Sequence, residues 1–344
     1  MTEAWQESFK KSLKSIEQVN QFFGTNLPEL PYEILIPPSL AKRIKENGLD
    51  SVLAKQFLPS AEEVMSSQEI GLKDPIGDQN FAKQGQLIHR YKNRALFLPT
   101  TICPVICRYC FRKNELSEKD EIFKANFEKT KSYLNNHQEI EEIIFSGGDP
   151  LMLSNSKIEF FLEEFSKIPH LRYIRFHTKA PVSLPNRVDQ GLLKILERFT
   201  HHFETLSLGI HINHSEEIDE QVESSLLKLR DIQRLQLLSQ TVLLKNVNDC
   251  PHILENLFKD INKLGVRPYY LHHPDKVRGG MHFQVDIPVG RKIFASLRSN
   301  LPGWMIPQYV LDIPQGHGKT PIYNPEQIEF KGFLMDLNQD MIKL

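Results

Sequence analysis

Three cysteines close together constrain this chain more than any other feature. Cys103, Cys107 and Cys110 follow a C-x₃-C-x₂-C spacing within CPVICRYCF, and the fourth cysteine, Cys250, lies far downstream. Cysteine binds metal as its thiolate, so a run this tight must curl around one centre to direct its three sulfur atoms inward. Three thiolates without a nearby fourth ligand favour an iron–sulfur cluster with one open iron, whereas a closed structural zinc site needs a fourth Cys or His. A zinc knuckle, redox-active thiols and ordinary buried cysteines are the alternatives.

From about residue 94 onward, strand-like and helical segments alternate. The predicted strands are RALFLPT, EEIIFSGG, RYIRFHTK, LSLGIHIN, LQLLSQTVLL and PYYLHH, and the helices between them are FEKTKSYLNNH, KIEFFLEEFSKI, QGLLKILERF, EIDEQVESSLLKLRDI and HILENLFKDINKLG. This alternation predicts a parallel sheet with helices outside it. Six such units form most of a barrel, so the predicted fold class is α/β, a partial (βα)₆ barrel. The loops at the carboxyl ends of its strands are expected to carry the chemistry.

The segments that flank the barrel divide the chain into three predicted parts. Residues 1–90 form a helical and then irregular N-terminal extension, because AWQESFKKSLKSIEQVNQFF has apolar residues at helical spacing. In the same part, Gly48 ends a second helix, LPSAEEVMSS predicts another, and LKDPIGDQNF is turn-rich. The barrel occupies residues 91–290. Residues 291–344 form a C-terminal part with the helix PVGRKIFASLRSN and the strand-like run PQYVLDIP, and this part is expected to pack on the barrel.

Composition and charge narrow the class of protein. The 344 residues have a formal net charge of −1, so no global positive field indicates nucleic-acid binding. The N-terminus lacks the apolar core of a signal peptide, and no segment approaches the length of a membrane span. Few, clustered cysteines favour a reducing compartment. We therefore expect a cytoplasmic protein without nucleic-acid or membrane partners.

Two glycine-containing motifs suggest ligand sites. FSGGDP follows the second strand, and its paired glycines allow the backbone to approach a ligand closely, although a plain βα turn is the alternative. In DIPQGHGKTP, Lys319 follows Gly318. A phosphate-binding P-loop is excluded, because that motif needs a glycine five positions before Gly318, where Ile313 stands. A lysine in a glycine-lined pocket can instead form a Schiff base with pyridoxal 5′-phosphate (PLP), with a solvated loop lysine as the alternative.

Three charged residues complete the candidate site. Asp275, in HHPDKVRGGMHF, and Asp312 both follow strand-like runs that are expected to end at the same end of the barrel. Two carboxylates at one spot repel each other unless a cation lies between them, so the pair predicts an ammonium site; solvated surface aspartates are the alternative. Arg112 lies two residues after Cys110, where its guanidinium could bind a carboxylate through two hydrogen bonds.

In their order along the chain, these motifs resemble those of the lysine 2,3-aminomutases, a family of radical S-adenosylmethionine (SAM) enzymes with a partial barrel. The resemblance runs from about Leu53 to Pro325. It implies that the three cysteines bind a 4Fe–4S cluster whose open iron chelates SAM. An electron from the cluster then cleaves SAM to a 5′-deoxyadenosyl radical. The resemblance also implies that Lys319 is the catalytic lysine that binds PLP.

Further site residues follow from the resemblance alone. Those that match residues near SAM are Ser146, Gly147, Gly148, Asp149, Gln240 and His211. For His211, a buried histidine bonded to backbone is the alternative. Those that match residues around the PLP phosphate and the cofactors are Arg90, Tyr91 and Arg94. Arg112 matches the arginine that binds the α-carboxylate of the substrate, and Asp275 and Asp312 match the aspartates that hold its side-chain ammonium.

The resemblance implies an isomerase that converts L-lysine to β-lysine, with the R form expected. It also implies a reducing partner such as flavodoxin or ferredoxin, and leaves open whether the chain forms a homo-oligomer. The phrases HINHSEEIDE and LHHPDKVRGGMHF look most like the short form that supplies β-lysine for elongation factor P. DIPQGHGKTP is closer to the long catabolic form, so supply of β-lysine for degradation or as a solute stays open.

Other substrates and other classes are the remaining alternatives. An arginine-type aminomutase is open, because a guanidinium also binds two acids. A glutamate-type enzyme is disfavoured, because two aspartates would face the side-chain carboxylate. From other classes, the alternatives are an RNA-modifying radical enzyme and a non-catalytic iron–sulfur or zinc protein. Only the PLP hypothesis predicts a yellow protein with a borohydride-trapped adduct at Lys319.

Overall fold

The structure is a computed structural model that describes residues 3–83, 86–114 and 126–323 and the backbone of two later strands. Ten strands form one sheet in chain order. They are β1 Ala82–Lys83, β2 Leu87–Tyr91, β3 Arg94–Phe97, β4 Glu142–Phe145, β5 Tyr173–Thr178, β6 Thr205–His211, β7 Leu235–Val242, β8 Arg267–His272, β9 Gln308–Ile313 and β10 Gly318–Pro321. The later strands, β11 Phe333–Met335 and β12 Met341–Lys343, pair with each other in antiparallel fashion.

Strands β3 to β9 pair in parallel, and antiparallel strands flank them on both sides. Side chains from every strand between β2 and β10 line one cavity, so the sheet is curled around it. β1 and β10 are the two edges of the described sheet, which makes the barrel partial. The predicted α/β partial barrel is therefore confirmed. The six predicted strands are β3 to β8, and PQYVLDIP adds β9 as a further parallel strand.

Eleven α-helices lie in the described ranges. They are α1 Ala4–Lys10, α2 Ile16–Phe23, α3 Pro38–Asn47, α4 Val52–Phe57, α5 Phe127–Asn136, α6 Asn155–Ser166, α7 Ala180–Ser183, α8 Gln190–Phe199, α9 Glu220–Arg230, α10 Pro251–Lys263 and α11 Ile287–Asn300. Four of the crossover helices are preceded by a capping residue, namely Asn126, Ser154, Asp189 and Asp219. Each of these side chains accepts a hydrogen bond from a backbone N–H group in the first turn of its helix. These caps satisfy donors that have no partner within the helix.

The main core lies between the sheet and its outer helices. On α8 the buried residues recur at helical spacing, and they are Leu192, Ile195, Leu196 and Phe199. On the sheet side, Phe97 of β3 packs edge-on against Phe145 of β4, with their ring centroids 5.5 Å apart. Each crossover helix thus buries an apolar stripe against the barrel wall.

The N-terminal extension has a small core of its own, which includes Val105 of the cysteine loop. The other members of this core are Val19, Ile36, Leu40, Ala41, Ile44, Leu53, Ala54, Phe57 and Leu58. The first helical pattern is interrupted, because Leu13 pairs with Ile36 and Ser15 caps a separate helix, α2. The helix predicted in LPSAEEVMSS is only a 3₁₀ turn, Ala61–Val64.

The segment after α11 joins the barrel sheet. β9 pairs with β8, and β10 turns back against β9, so Lys319 lies in a strand rather than in a loop. Strand β2 spans residue 90 and helix α11 spans residue 290, and the division into three parts stays a prediction. Residues 324–332, 336–340 and 344 of the predicted C-terminal part lie outside the described residues. None of the described helices combines the length and the apolar character needed to cross a membrane.

Candidate active site

The barrel lines a cavity of about 300 Å³. The cavity reaches from the loops after β4 and β5 to Arg94 at the start of β3. Every residue proposed from the sequence lines it, namely Cys103, Cys107, Cys110, Arg90, Tyr91, Arg94, Arg112, Ser146, Gly147, Gly148, Asp149, His211, Gln240, Asp275, Asp312 and Lys319. The structure therefore brings the proposed residues together, while the role of each stays a prediction.

The cysteine loop follows β3 and is fixed by buried ion pairs. Arg108, which follows Cys107, donates to Glu63 from Nε and Nη2 at 2.9 and 2.6 Å. The amine of Lys113 donates to the same carboxylate at 2.7 Å, and all three charged residues are buried. Buried charges are tolerated when they are paired and hydrogen-bonded. The N-terminal extension, through Glu63, thereby orients the loop that carries the cysteines.

The surroundings of the cysteines favour the neutral thiols until a metal binds. Burial, with Cys110 nearby, raises the pKa of the Cys103 thiol well above its ordinary value, and burial raises that of Cys107 to about 12. Such thiols become thiolates when a metal supplies the opposing charge. In the described part of the chain, no three His, Cys, Asp or Glu side chains form a group that could hold a single ion.

The donor set itself fits an iron–sulfur cluster. Cys103, Cys107 and Cys110 can each ligate a different iron, which leaves a fourth iron open.

The glycines after β4 allow two loops to pack backbone against backbone. The N–H of Gly148 donates to the carbonyl of Thr100 at 2.8 Å. A Cβ atom on Gly148 would lie 2.4 Å from the carbonyl oxygen of Ile102. Gly147 has a φ of +104°, which L side chains rarely adopt. These two positions therefore require glycine, and they hold the β4 loop directly against the cysteine loop.

Asp149 has a positioning task in this structure. Its buried carboxylate accepts hydrogen bonds from the N–H groups of Leu151, Lys179 and Ala180 and from the hydroxyl of Thr178. These bonds tie the loop after β4 to the loop after β5. Burial raises the pKa of the carboxyl group, and the hydrogen bonds oppose that shift.

Lys319 is held on β10 opposite Asp312 of β9. The two residues are direct cross-strand partners, and the lysine amine forms an ion pair with the aspartate carboxylate. Nδ1 of His272 lies 3.4 Å from the same amine. The N–H of Lys319 donates to the hydroxyl of Tyr91 at 2.8 Å. An amine held in a cavity in this way can react with an aldehyde cofactor such as PLP.

Asp275 adds a second carboxylate beside this ion pair. Burial first, and then the charge of Asp312, raises its pKa to about 7, while Lys319 opposes the shift. The charge of Lys319 therefore acts on both carboxylates, while its ion pair is with Asp312. A second cation entering the cavity would relieve their repulsion, so the geometry provides a site for the amine of a ligand.

Arg90 and Arg112 meet at Asp78, a residue that no sequence motif indicated. Nη2 of Arg90 lies 2.7 Å from Oδ1 of Asp78, and Arg112 forms an ion pair with Oδ2. In the described structure, Nε of Arg90 is buried without a hydrogen-bond partner. Two guanidinium groups on one carboxylate leave an excess positive charge, so this side of the cavity fits an anion such as a phosphate or a carboxylate.

Three histidines face the cavity, and only His211 was predicted from the sequence. His177 lies 3.1 Å from the side-chain amide of Gln240, and His211 lies 2.8 Å from the hydroxyl of Tyr109. Burial lowers the pKa of His177, His211 and His272 well below the ordinary value, which favours the neutral form of each ring. Their shared position at strand ends, in FHT, GIHI and YLHH, was the available sequence signal.

The chain is similar to known proteins along most of its length. The model of the radical SAM superfamily matches residues 97–257. An L-lysine 2,3-aminomutase of Escherichia coli (strain K12) is 35% identical over 291 residues, which are 85% of this chain and 83% of that protein. The L-lysine 2,3-aminomutase of Methanococcus maripaludis is 32% identical over 331 residues, 92% of this chain and 74% of that protein. That of Clostridium subterminale is 29% identical over 327 residues, 92% and 77% of the two chains.

Proposed function

The chain belongs to the lysine 2,3-aminomutase family of radical SAM enzymes, and from this we propose that it converts L-lysine to β-lysine, the R form. The enzyme is an isomerase that uses a 4Fe–4S cluster, SAM and PLP. One observation carries the choice of substrate. Lys319 and the two carboxylates of Asp275 and Asp312 share one cavity with the cysteine loop. A substrate with an additional ammonium group matches that charge pattern.

The substrate is held at both ends in this proposal. Arg112 binds the α-carboxylate, because a guanidinium pairs with a carboxylate through two hydrogen bonds. Asp275 and Asp312 bind the side-chain ammonium. Anchoring both ends fixes the β-carbon relative to the cysteine loop, and such positioning converts binding energy into rate.

The cofactors are held by different walls of the same cavity. Cys103, Cys107 and Cys110 ligate the cluster. The backbone edge of residues 146–149, with His211 and Gln240, binds SAM. Lys319 binds PLP, and Arg90, Tyr91 and Arg94 surround its phosphate. When bound, the cluster and SAM supply a carbon radical that removes a hydrogen atom from the substrate, and PLP carries the migrating nitrogen.

Binding of L-lysine is expected to weaken as the pH falls through about 7. Asp275 has a pKa of about 7 in the folded protein, raised from 3.8, and only its ionised form attracts an ammonium group. KM should therefore rise as the pH falls below this value and level off once Asp275 is protonated, because Asp312 still attracts the ammonium. The charged groups that act on the pKa of Asp275 are Asp312, Lys319, Asp78 and Arg90. The measurement is KM for L-lysine as a function of pH.

The matching variant for this prediction is Asp275→Asn, in which KM should no longer rise as the pH falls below about 7. The same pKa shift implies that the protein loses stability as the pH rises from about 4 to about 7, because ionisation of Asp275 is unfavourable in the folded state. A pH profile of KM that is equally steep in the variant would contradict the assignment.

Replacing Asp312 with asparagine should raise KM for L-lysine by about 10- to 100-fold, because one of two charges that attract the ammonium is lost. The contents of iron and PLP should stay unchanged, since an amide still accepts a hydrogen bond from Lys319. Steady-state kinetics and cofactor analysis measure the two quantities.

Asp286→Asn is the control for this substitution, because Asp286 is exposed at the start of α11. Its KM should equal that of the unmodified protein. Loss of iron from the Asp312 variant would show that Asp312 supports the cluster and that its assignment to the substrate is wrong.

Arginine is the second candidate substrate, because a guanidinium also pairs with two carboxylates. Glutamate is disfavoured, since its side chain would face Asp275 and Asp312. The deciding experiment is anaerobic reconstitution with iron, sulfide, PLP and SAM, followed by chiral analysis of the products. We expect (R)-β-lysine from L-lysine and a lower kcat/KM for L-arginine. Preferred turnover of L-arginine would reject the proposed substrate.

For the physiological role, we propose that the β-lysine is transferred to elongation factor P by a separate ligase. The support is the resemblance of HINHSEEIDE and LHHPDKVRGGMHF to the short form. The test is the mass of elongation factor P in cells with and without the gene. An unchanged mass would favour supply of β-lysine for degradation or as a solute. A flavodoxin or ferredoxin is proposed as the electron donor.

A further inference from the structure

A short turn joins several walls of the active-site cavity. In this turn the carboxylate of Asp74 accepts hydrogen bonds from the N–H groups of Gly77, Asp78 and Gln79 at 2.8, 3.1 and 3.1 Å. These bonds fix the backbone that carries Asp78, in the way that an aspartate commonly closes a turn. The turn is therefore a defined structural unit rather than only a connection to β1.

The turn also packs against the hairpin of Lys319. A Cβ atom on Gly77 would lie 2.5 Å from backbone atoms of Gln315 and Gly316, just before β10, and Gly77 has a φ of +69°. Only glycine allows both the conformation and the contact. This contact fixes the position of Asp78 relative to β10, the strand that carries Lys319.

Asp78 connects this turn to two further walls. Its carboxylate binds Arg90 of β2 through one oxygen and Arg112 of the cysteine loop through the other. Asp78 is 1% exposed, and the two arginine side chains are 7% and 3% exposed. At such burial the three charges are strongly coupled, and the guanidinium groups cannot reorient independently of the carboxylate.

We propose that Asp78 is a positioning residue that sets Arg90 and Arg112 together, so that the PLP phosphate site and the substrate carboxylate site depend on one side chain. This inference rests on the proposed function for the ligands of the two arginines. In this proposal Asp78 acts through the two arginines. Without the charge of Asp78, the two guanidinium groups repel each other, and no common carboxylate orients them.

The test is Asp78→Asn in protein prepared without cluster or SAM. The first measurement is the affinity for PLP, by spectroscopic titration. The second is the preference of the PLP-loaded protein for L-lysine over 1,5-diaminopentane, which lacks the carboxylate. We expect PLP affinity and this preference each to fall by about 10- to 100-fold, as when one partner of a buried charge pair is removed. Unchanged values would overturn the proposal.

A tighter affinity for PLP would also overturn it, because that result would mean that Asp78 only competes with the phosphate for the arginines. The PLP measurement does not involve L-lysine. A protein that binds PLP but prefers another amino acid would therefore reject the proposed substrate and leave the test of Asp78 intact.

Two further variants guard against misfolding. Asp78→Glu keeps the charge but displaces it, and should show smaller losses than Asp78→Asn in both affinities; no loss in either would overturn the proposal. Asn80→Ala, an exposed change in the same turn, should bind both ligands like the unmodified protein.

In an Arg112→Gln background, Asp78→Asn should still weaken PLP binding but should no longer change the preference for L-lysine. Full additivity of the two changes on that preference would contradict the coupling.

Discussion

Replacing Lys319 with alanine will remove the borohydride-trapped PLP adduct and lower kcat by at least about 10³-fold, because none of the other described lysines that line the cavity can take over. Lys113 and Lys179 also line the cavity, but each is held in a buried ion pair, with Glu63 and Glu217 respectively. The measurement is borohydride reduction followed by peptide mapping, together with turnover of L-lysine.

Lys319→Arg separates charge from nucleophilicity. It keeps a cation beside Asp312 but cannot form an imine, so it should be as inactive as the alanine variant while retaining the stability of the unmodified protein. The alanine variant leaves Asp275 and Asp312 without their ammonium partner and should be less stable at neutral pH. Lys276→Ala, at an exposed position, is the control. An adduct that maps to Lys113 or Lys179 would contradict the assignment.

Replacing Glu63 with glutamine will cost about 3–5 kcal/mol of unfolding free energy, because two buried cations then share no counter-charge. Burial already lowers the pKa of Lys113 to about 8, so this amine can relieve part of the cost by losing its proton. Arg108 cannot, because a guanidinium stays charged. The measurement is urea unfolding of the cluster-free protein.

Iron retention provides a second readout for Glu63. Since Arg108 lies between Cys107 and Cys110, the variant should also bind less iron on reconstitution. Glu62→Gln is the matched control, because Glu62 is the exposed neighbour and surface changes of this kind usually stay within about 0.5 kcal/mol. Equal stability of the two variants would show that the buried ion pairs do not hold the cysteine loop.

The repeating part of the fold was predictable because each unit is encoded locally. β3 to β8 and their helices follow the alternation of strand and helix patterns, and a parallel sheet is the arrangement that such units favour. β2 and β10 were not predicted. Both are short and have polar residues, and they become strands only because an edge of the barrel offers them hydrogen-bond partners.

The candidate site shows the same division. The cysteine spacing, the paired glycines and Lys319 are local patterns with chemistry of their own, and the sequence predicted them as parts of one site. Asp78 and Glu63 carry no such pattern. Asp78 lies 34 residues from Arg112, and Glu63 lies 45 from Arg108. Which charges meet over such separations depends on how the turns pack. Side-chain pairs can be predicted from the sequence only between near neighbours, such as residues three or four apart on a helix.

By itself, the sequence determined the barrel units, the cysteine loop after the first of them and the types of residue available to the site. The tertiary structure alone decided that the N-terminal extension holds the cysteine loop through Glu63, that Asp78 joins two arginines, and that Lys319 faces Asp312 across a hairpin. The physical reason is that propensity and spacing act over a few residues, whereas buried charges are stable only beside partners that folding brings together.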